Sequence, residues 1–416
     1  MSSVASLISS QIQDIVEIRR DLHAHPELGY NEVRTSGVVT RELEKAGIKH
    51  EGGLAGGTGV LGYLPATSNP EDAPTIALRA DMDALPIIEN TGKPYASQHE
   101  GVMHACGHDG HTSILIGAAR VLAKSERPNN VLLVFQPAEE GGAGGRKMCE
   151  AGVLNGTVLG KPVERIFGLH GFPMLEVGQV ATRKGALLAS ADQFTMTIRG
   201  KGGHAAMPHF GIDPIVAASQ IVLAFQTIVS RNVNPLDSAV VTIGEFHAGT
   251  ASNIIPDEAH LVGTLRTLNR TTRELGMHRI EKIAKDISEA FGAHMSIEWR
   301  DGYPVTWNDP VATDDFRQAI APAFGNKLVA HEVDPVMGGE DFSFYGEHVP
   351  ACFYWLGLVP EGGSRYANLH APEFDFNDDA LAVGINAMCT LALASYANLG
   401  SKAGRELRTE KVEVGR

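Results

Sequence analysis

A short segment that contains one cysteine and three histidines carries the clearest chemical signal in the sequence. It reads Met103-His104-Ala105-Cys106-Gly107-His108-Asp109-Gly110-His111. Cys106 and His108 are two residues apart, so both side chains can face one point only at a bend or a strand end, not in the middle of a helix. Thiolate and imidazole are ligands of zinc-like transition metals rather than of magnesium or calcium. We therefore predict that Cys106 and His108 bind metal. Asp109 could orient a histidine ligand, and His111 could either bind the metal or pack.

Two adjacent carboxylates, Glu139 and Glu140, follow further along the chain. They lie in Gln136-Pro137-Ala138-Glu139-Glu140-Gly141-Gly142, directly after an apolar run that ends at Phe135. Burial there would disfavour both charges unless a cation were bound nearby. Adjacent residues on an irregular segment point in different directions, so one carboxylate can bind a metal while the other faces a substrate. We favour this interpretation over a solvated acidic turn, which the two glycines would also suit.

Three apolar segments predict the buried strands that position these groups. Thr75–Arg79 leads into two aspartates, Asn130–Gln136 leads into the two glutamates, and Ile166–His170 ends in a histidine. Continuous apolar runs are typical of strands covered on both faces, and open α/β sheets place their sites beyond the carboxyl ends of strands. We therefore predict a doubly wound α/β domain with the site at its strand ends and with His170 as a further candidate. A helix is predicted at Thr112–Lys124, directly after the Cys/His segment.

The pattern of elements changes near residue 190. From there to Arg300 the sequence predicts strand, helix, strand, strand, helix and strand, in the segments Gln193–Arg199, Asp213–Arg231, Ser238–His247, Glu258–Leu268, Thr272–Phe291 and His294–Trp299. This βαββαβ order is that of a ferredoxin-like domain. We therefore predict a lid domain at 188–300, inserted into a catalytic metal-binding domain formed by 1–187 and 301–400. Residues 401–416 are charged and lack apolar periodicity, and we expect them to be a flexible tail.

Composition argues against several classes of partner. The chain has 416 residues, of which 43% are hydrophobic and 20% charged, so it is long enough for two domains. A formal net charge of −14 argues against binding to nucleic acid or to an anionic membrane. We expect no membrane span, because the sequence has no long uninterrupted apolar run. The four cysteines are scattered, which predicts free thiols and a cytoplasmic location.

Four motifs, taken in chain order, resemble those of the M20 metallopeptidase family. They are the Cys/His segment, the Glu139-Glu140 segment, Lys201-Gly202-Gly203-His204-Ala205-Ala206 and Gly338-Gly339-Glu340-Asp341-Phe342. The resemblance is to the amidohydrolase branch, which contains hippurate hydrolases, N-acyl-amino-acid amidohydrolases and indoleacetyl-amino-acid hydrolases. It extends over nearly the whole chain, from His25-Pro26-Glu27 to His370.

The resemblance implies a centre of two divalent metal ions in the catalytic domain. The five implied ligands are Cys106, His108, Glu140, His170 and His370. Cys106 would bridge the ions, and Glu139 would be the general base. The wider family has a histidine ligand where this chain reads Asp81-Met82-Asp83, which leaves the roles of Asp81 and Asp83 open. We expect both aspartates to support the site or the fold rather than to bind metal. Zinc, manganese, cobalt and nickel all suit such ligands, and the sequence does not choose among them.

The resemblance also implies contributions from the inserted domain. His204, on a glycine-flanked turn, would stabilise the oxyanion. In similar proteins this histidine can reach the active site of a neighbouring subunit, so we expect a homodimer or homotetramer formed through the lid domain. Asn253 and Arg266 match carboxylate-binding positions, and an Arg fork suits a carboxylate. A surface position for His204 and a cross-strand ion pair for Arg266 are the alternatives.

The expected activity is hydrolysis of the amide bond of a small N-acyl amino acid, of the hippurate or N-acetyl type, to a carboxylic acid and a free amino acid. A carboxypeptidase or dipeptidase on the same scaffold is the nearest alternative. A catalytically silent binder of amino-acid conjugates is another, although the intact Glu139 argues against it. A zinc deaminase would also use a glutamate base, but its Pro-Cys-x-x-Cys element is absent from the sequence.

Overall fold

The structure is a computed structural model that describes residues 3–327, 332–363, 366–396 and 399. Within these ranges the strands are β1 (Lys49–Leu54), β2 (Gly59–Leu64), β3 (Thr75–Asp81), β4 (Asn130–Gln136), β5 (Arg165–Glu176), β6 (Val180–Ala181), β7 (Gly185–Leu188), β8 (Ser190–Arg199), β9 (Gly203–His204), β10 (Ala239–Ala248), β11 (Ile254–Ile255), β12 (Glu258–Thr267), β13 (His294–Tyr303), β14 (Thr306–Asn308) and β15 (Ala351–Val359). The α-helices are α1 (Val4–Ser9), α2 (Ile12–Ala24), α3 (Val33–Lys45), α4 (His108–Ala123), α5 (Gly144–Glu150), α6 (Pro214–Thr227), α7 (Arg270–Ala290), α8 (Pro310–Phe324), α9 (Ser343–Gly346) and α10 (Asp379–Leu393).

These elements divide into two compact units. Unit 1 comprises the described residues within 1–185, 307–333 and 341–416, and unit 2 comprises those within 186–306 and 334–340. Unit 2 is therefore inserted into the sequence of unit 1, and a second short segment of the chain also belongs to it. The predicted tail, 401–416, lies outside the described residues.

Unit 1 is built on a seven-stranded mixed sheet with the order β1-β2-β4-β3-β5-β15-β6. The four central strands, β4, β3, β5 and β15, run parallel to one another, and the strands towards both edges are antiparallel to their neighbours. Strands β3, β4 and β15 are buried along their whole length, as is usual for parallel strands covered by helices. Helices α4 and α10 pack against each other and contribute to the same core. The predicted α/β architecture is confirmed.

Strand β5 is longer than the sequence indicates. The apolar run predicts an end at His170, whereas the strand continues to Glu176. The cause is β15, which pairs in parallel with β5 from Ile166 to Glu176 and places Trp355 opposite His170. The side chain of His170 therefore leaves the sheet from within a paired strand rather than from its end.

Helix α4 begins at His108 rather than at the predicted Thr112. Gly107 has a left-handed backbone, with φ 90°, and its carbonyl accepts a hydrogen bond from the N–H of His111 (3.1 Å). An L-residue with a side chain would be strained in that conformation. The resulting bend lets the Cys106 thiol and the His108 ring face the same region, as their spacing predicted.

Unit 2 contains a four-stranded antiparallel sheet with the order β10-β12-β8-β13. Helices α6 and α7 pack on this sheet, where Phe194, Met196 and Ile198 of β8 meet Ile221 and Ile280 in one core. Along the chain the main elements follow the order β8, α6, β10, β12, α7 and β13. The predicted βαββαβ arrangement is confirmed, and a short ribbon of β9 and β11 is added to it.

Helix α6 is unusually apolar for a helix of a small domain. With the turn that follows, Pro214–Asn232 is the one helix of the described ranges that is long and apolar enough to cross a membrane. Ala217, Ile221 and Phe225 are buried against the sheet of unit 2. Leu223, by contrast, is 64% exposed. The apolar residues of α6 are thus divided between the core of unit 2 and an exposed face.

Candidate metal centre

The Cys/His segment and strand β5 meet at one buried point in unit 1. The Sγ of Cys106 lies 3.3 Å from Nε2 of His170. Ligand atoms of Cys106, His108 and His170 all lie within 4.8 Å of one another, and the three residues are buried. One thiol and two imidazoles at this spacing are a donor set for a transition metal ion.

Hydrogen bonds orient both imidazoles towards this point. Nδ1 of His108 donates to the backbone carbonyl of Asp83 (2.9 Å), and its Nε2 is buried with no hydrogen-bond partner among the described residues. Nδ1 of His170 donates to the carbonyl of Gly171 (2.8 Å), so its Nε2 faces Cys106. A buried nitrogen without a partner is costly, and a metal ion would satisfy it. The residues present therefore fit a metal ion.

A second group uses the same sulfur. Ligand atoms of Cys106, Glu140 and His370 also lie within 4.8 Å of one another, with Nε2 of His370 3.1 Å from Oε1 of Glu140. The N–H of His370 donates to the carbonyl of Ala105 (2.8 Å), which fixes this residue beside the Cys/His segment. The five predicted ligands thus converge as two groups that share Cys106. Their binding of metal stays a prediction.

Asp83 connects the ends of two neighbouring strands. Its Oδ1 accepts the N–H of Glu139 (3.0 Å) and its Oδ2 accepts the N–H of Glu140 (2.9 Å). Its backbone carbonyl holds His108, as described above. With both carboxylate oxygens occupied by backbone donors, Asp83 positions the surrounding groups and is not placed as a ligand.

Glu139, the predicted general base, lies beside two of the predicted ligands. It is buried, and its carboxylate lies within 4.8 Å of the ligand atoms of His108 and Glu140. Its Oε1 accepts the N–H of Asp341 (3.3 Å). The Asp341 carboxylate is held in turn by Arg79 (2.8 Å). The backbone donor to Glu139 therefore belongs to a residue whose carboxylate lies in a buried ion pair.

Burial and neighbouring charges shift the pKa values of three of the proposed ligands. Burial lowers the pKa of His108, but the charges of Asp81, Asp83 and Glu140 and the hydrogen bond to Asp83 together outweigh this effect and raise the pKa to about 10. Burial raises the pKa of the Cys106 thiol well above its usual range, and the charge of Glu140 adds to this. Burial holds the pKa of His170 well below its ordinary value. Protons and divalent cations therefore compete for a site rich in carboxylates.

His111 and Asp109 do not contribute ligand atoms to either group. The Nδ1 of His111 lies 2.7 Å from Oδ1 of Asp81, and its Nε2 accepts the N–H of Gly171 (2.8 Å). Both ring nitrogens are therefore occupied. Asp109 could have oriented a histidine ligand, but its partners are Arg19 (2.9 Å) and His23 (2.8 Å), because the first turn of α4 directs it towards α2.

Unit 2 places two of its predicted site residues side by side. His204 lies opposite Ile254 in the ribbon of β9 and β11, and the N–H of Ala205 donates to the carbonyl of Asn253 (3.1 Å). The Nδ1 of His204 accepts the N–H of Ala206 (3.1 Å), so Nε2 is the nitrogen directed away from this turn. His204 and Asn253 are both exposed.

Arg266 lies far from this pair within unit 2. It belongs to β12 and pairs with Val240 and Ala191, near the end of the strand opposite to Glu258. At the usual rise per residue, eight residues of strand separate it from Glu258 by about 27 Å. The structure thus brings His204 and Asn253 together and places Arg266 at the other end of the sheet.

Comparison with known proteins places the chain in a family. The sequence model of peptidase family M20/M25/M40 matches residues 77–394. The chain belongs to this family.

Members of the M20 family resemble this chain along nearly its entire length. The N-acetylcysteine deacetylase of Bacillus subtilis is 42% identical over 381 residues, which cover 91% of this chain and 96% of the deacetylase. The IAA-amino acid hydrolase ILR1-like 5 of Arabidopsis thaliana is 41% identical over 398 residues, which cover 94% of this chain and 89% of the hydrolase. The crystal structure of the Bacillus subtilis YXEP protein, a dinuclear metal binding peptidase from the M20 family, has 38% identity, a TM-score of 0.77 and coverage of 92% of this chain and 98% of that chain.

The sequence analysis missed Arg79, which supports the candidate site. Arg79, a charged residue within the apolar strand β3, is fully buried and pairs with Asp81 and Asp341. A charge in a buried strand needs a buried partner, so Arg79 was a usable signal. Asp83 was indicated by its place beyond the end of a buried strand, but its partners are backbone N–H groups that no residue type reveals.

Proposed function

We propose that this protein is a metal-dependent amidohydrolase that cleaves N-acyl amino acids to a carboxylic acid and a free amino acid. The convergence of Cys106, His108, Glu140, His170 and His370 beside a buried glutamate is the observation that carries the proposal. Two relatives are named for deacetylation of acetylcysteine and for hydrolysis of an indoleacetyl-amino-acid conjugate, and both names describe amide cleavage next to an amino acid.

Two divalent ions held by the two groups would polarise the scissile carbonyl and lower the pKa of the attacking water. Glu139 takes up the proton of that water on its carboxylate and transfers it to the departing nitrogen. The hydrogen bond from Asp341 to Oε1 restrains the carboxylate of Glu139 for both transfers. Asp83 keeps the Glu139 and Glu140 backbones at fixed positions, so the base and a ligand cannot move independently.

The proposed ions are zinc, manganese, cobalt or nickel. The sulfur and imidazole donors exclude magnesium and calcium as preferred ions. Elemental analysis of the purified protein and reactivation of chelator-treated protein with each ion in turn identify the one that supports turnover. Full activity after complete metal removal would contradict the proposal.

We further propose that the active protein is a homodimer formed through unit 2. Strand β10 is an edge strand of the sheet and is largely exposed, and such edges pair readily with another chain. Phe246 of β10 is 41% exposed and Leu223 of α6 is 64% exposed. A second copy of this chain is the proposed occupant, because an edge strand beside an exposed apolar helix can pair with its own symmetry mate. Sedimentation of the wild type and of Leu223→Asp tests this proposal.

A dimer would also allow His204, Asn253 and Arg266 to act in hydrolysis although they lie apart in one chain. Because His204 and Asn253 lie far from Arg266 in one chain, we propose that His204 and Asn253 serve the active site of the partner while Arg266 binds the carboxylate of the amino acid. The oxyanion would then be stabilised by a histidine supplied across the interface. A cytoplasmic location is part of the same proposal, supported by the free thiols of all four cysteines.

A substrate panel tests the activity. Benzoyl-glycine, N-acetylated amino acids and dipeptides are compared with wild-type protein and with Glu139→Gln. We expect turnover of the acylated amino acids, a loss of about 10²- to 10⁴-fold in Glu139→Gln, and unchanged metal content in that variant. Dominant hydrolysis of dipeptides would instead assign the protein as a carboxypeptidase or dipeptidase, and undiminished activity of Glu139→Gln would remove the proposed base.

A further inference from the structure

We infer that Asp81 and His111 form a positioning pair that aims His170 at the metal centre, an inference that rests on the proposed ligand role of His170. The Nε2 of His111 accepts the N–H of Gly171 (2.8 Å). Because a backbone N–H can only donate, the proton of His111 must lie on Nδ1, which donates to Oδ1 of Asp81 (2.7 Å). His111 therefore has no ring nitrogen left for a metal ion.

Gly171 is the link between His111 and the ligand. Its N–H is held by His111, and its carbonyl accepts Nδ1–H of His170 (2.8 Å). The rings of His111 and His170 also lie edge to face, with centroids 4.6 Å apart. The carbonyl that fixes the His170 ring thus belongs to a residue that His111 fixes. If Gly171 were released, the Nε2 of His170 would no longer be held towards Cys106.

Asp81 is anchored by Arg79 and Thr112, and its Oδ2 also lies 3.8 Å from Nε2 of His108. Its Oδ2 accepts from Nη1 of Arg79 (2.6 Å), and its backbone carbonyl accepts from Oγ1 of Thr112 (2.7 Å). Asp81, Arg79, Thr112 and His111 are all buried. A carboxylate with donors on both oxygens is a fixed acceptor for His111 rather than a metal ligand. This assignment gives Asp81 the role that its sequence position left open.

Two substitutions of His111 test the inference. Each preserves the hydrogen bond of one ring nitrogen and removes that of the other. His111→Gln keeps an oxygen near the position of Nε2 that can accept from Gly171, whereas His111→Asn keeps an N–H near Nδ1 and loses that acceptor. Chelator-treated full-length protein is titrated with Co²⁺ and followed by the visible absorption of the bound ion and by elemental analysis. We expect His111→Gln to bind two ions with affinities within about threefold of wild type, and His111→Asn to weaken one of the two by about 10- to 100-fold.

The control His170→Ala separates this inference from the proposed function. If His170→Ala leaves Co²⁺ binding unchanged, the ligand assignment itself fails. If His170→Ala weakens one site while His111→Asn does not, only the positioning role is overturned. Equal losses in His111→Gln and His111→Asn would also overturn it, because packing or direct metal binding by His111 predicts that result. A loss of more than about tenfold in His111→Gln alone is sufficient for the same conclusion.

Discussion

Asp83 connects three groups of the proposed metal centre. Its two carboxylate oxygens hold the backbones of Glu139 and Glu140, and its carbonyl orients the His108 ring. A proposed base and two proposed ligands therefore depend on one residue that touches neither substrate nor metal in the proposed reaction. Such supporting residues usually matter for metal affinity almost as much as the ligands do.

The substitution Asp83→Asn is expected to weaken this support. The carboxamide offers one acceptor oxygen where two are used, so one of the two backbone N–H groups loses its partner. We expect the free energy of unfolding of the metal-free protein to fall by about 1–3 kcal/mol and the metal affinity to fall by about 10- to 100-fold. Urea unfolding and metal titration measure the two effects.

A matched control for this substitution is available on the surface. Asp72 is exposed, and its carboxylate accepts a hydrogen bond from the side chain of Asn69 (3.0 Å), so Asp72→Asn should change the free energy of unfolding by less than about 0.5 kcal/mol. Equal unfolding curves for the Asp83 and Asp72 variants would show that Asp83 does not support the centre.

The identity of the site residues could be read from the sequence only in part. Cys106 and His108 stand out because two metal-binding residue types flank a glycine, and the structure brings them together. His370 gave no such signal, since it lies on a loop with a left-handed backbone (φ 63°) and no ligand neighbour in sequence. Its place beside Glu140 depends on tertiary contacts, and only the family resemblance indicated it.

A buried ion cluster ties helix α2 to the first turn of α4. Asp109 accepts from Nε of Arg19 (2.9 Å) and lies 2.8 Å from Nδ1 of His23, whose Nε2 lies 3.2 Å from Glu89. Because Asp109 directly follows His108, the cluster restrains the turn that carries a proposed ligand. The charges are buried, so each depends on its partners.

The cluster makes stability depend on pH through His23. Burial lowers the pKa of His23, but the hydrogen bond and the charge of Asp109 outweigh it and raise this pKa to about 9. A raised pKa means that protonated His23 stabilises the fold fully below about pH 6.5 and that this contribution is lost as the pH rises towards 9. Between these values the metal-free wild type should lose on the order of 3 kcal/mol more unfolding free energy than His23→Gln. Urea unfolding at several pH values tests this, and parallel pH profiles for the two proteins would contradict it.

The presence of a helix or strand was easier to predict from the sequence than the residues at which it begins and ends. The strand at Asn130–Gln136 was predicted with both of its ends, because an apolar run there is bounded by polar residues. The predicted end of β5 was wrong, because pairing with β15 extends the strand past His170. The sequence of one strand does not show which strand will pair with it. The start of α4 was wrong because His108-Asp109-Gly110-His111 lacks apolar periodicity, and Gly107 sets the boundary through its backbone.

For the complete protein, the proposed dimer predicts that His204 of one subunit acts in the active site of the other. Glu139→Gln and His204→Ala should each have little activity alone. In a mixed dimer, one site combines an intact Glu139 with the partner subunit's His204. After subunit exchange between the two variants, we expect recovery of about a quarter of wild-type activity, because half of the dimers are mixed and each has one complete site.

A second mixture serves as the control. Glu139→Gln and Glu140→Ala both change the metal centre of their own chain, so no mixed dimer contains a complete site and no recovery is expected. Recovery in this control, or none in the mixture with His204→Ala, would show that His204 does not act across a dimer.

The two groups that share Cys106 differ in their access to solvent. Cys106, His108 and His170 are buried, whereas the side chain of His370 is 53% exposed. The more exposed ligand therefore belongs to the second group, and an ion held there would exchange with solvent faster than an ion held in the first group. We therefore expect the protein to keep one metal ion through extended dialysis and to exchange the other with metal ions of the buffer. The first ion would then reflect the metals present during synthesis, and the second those present during the assay.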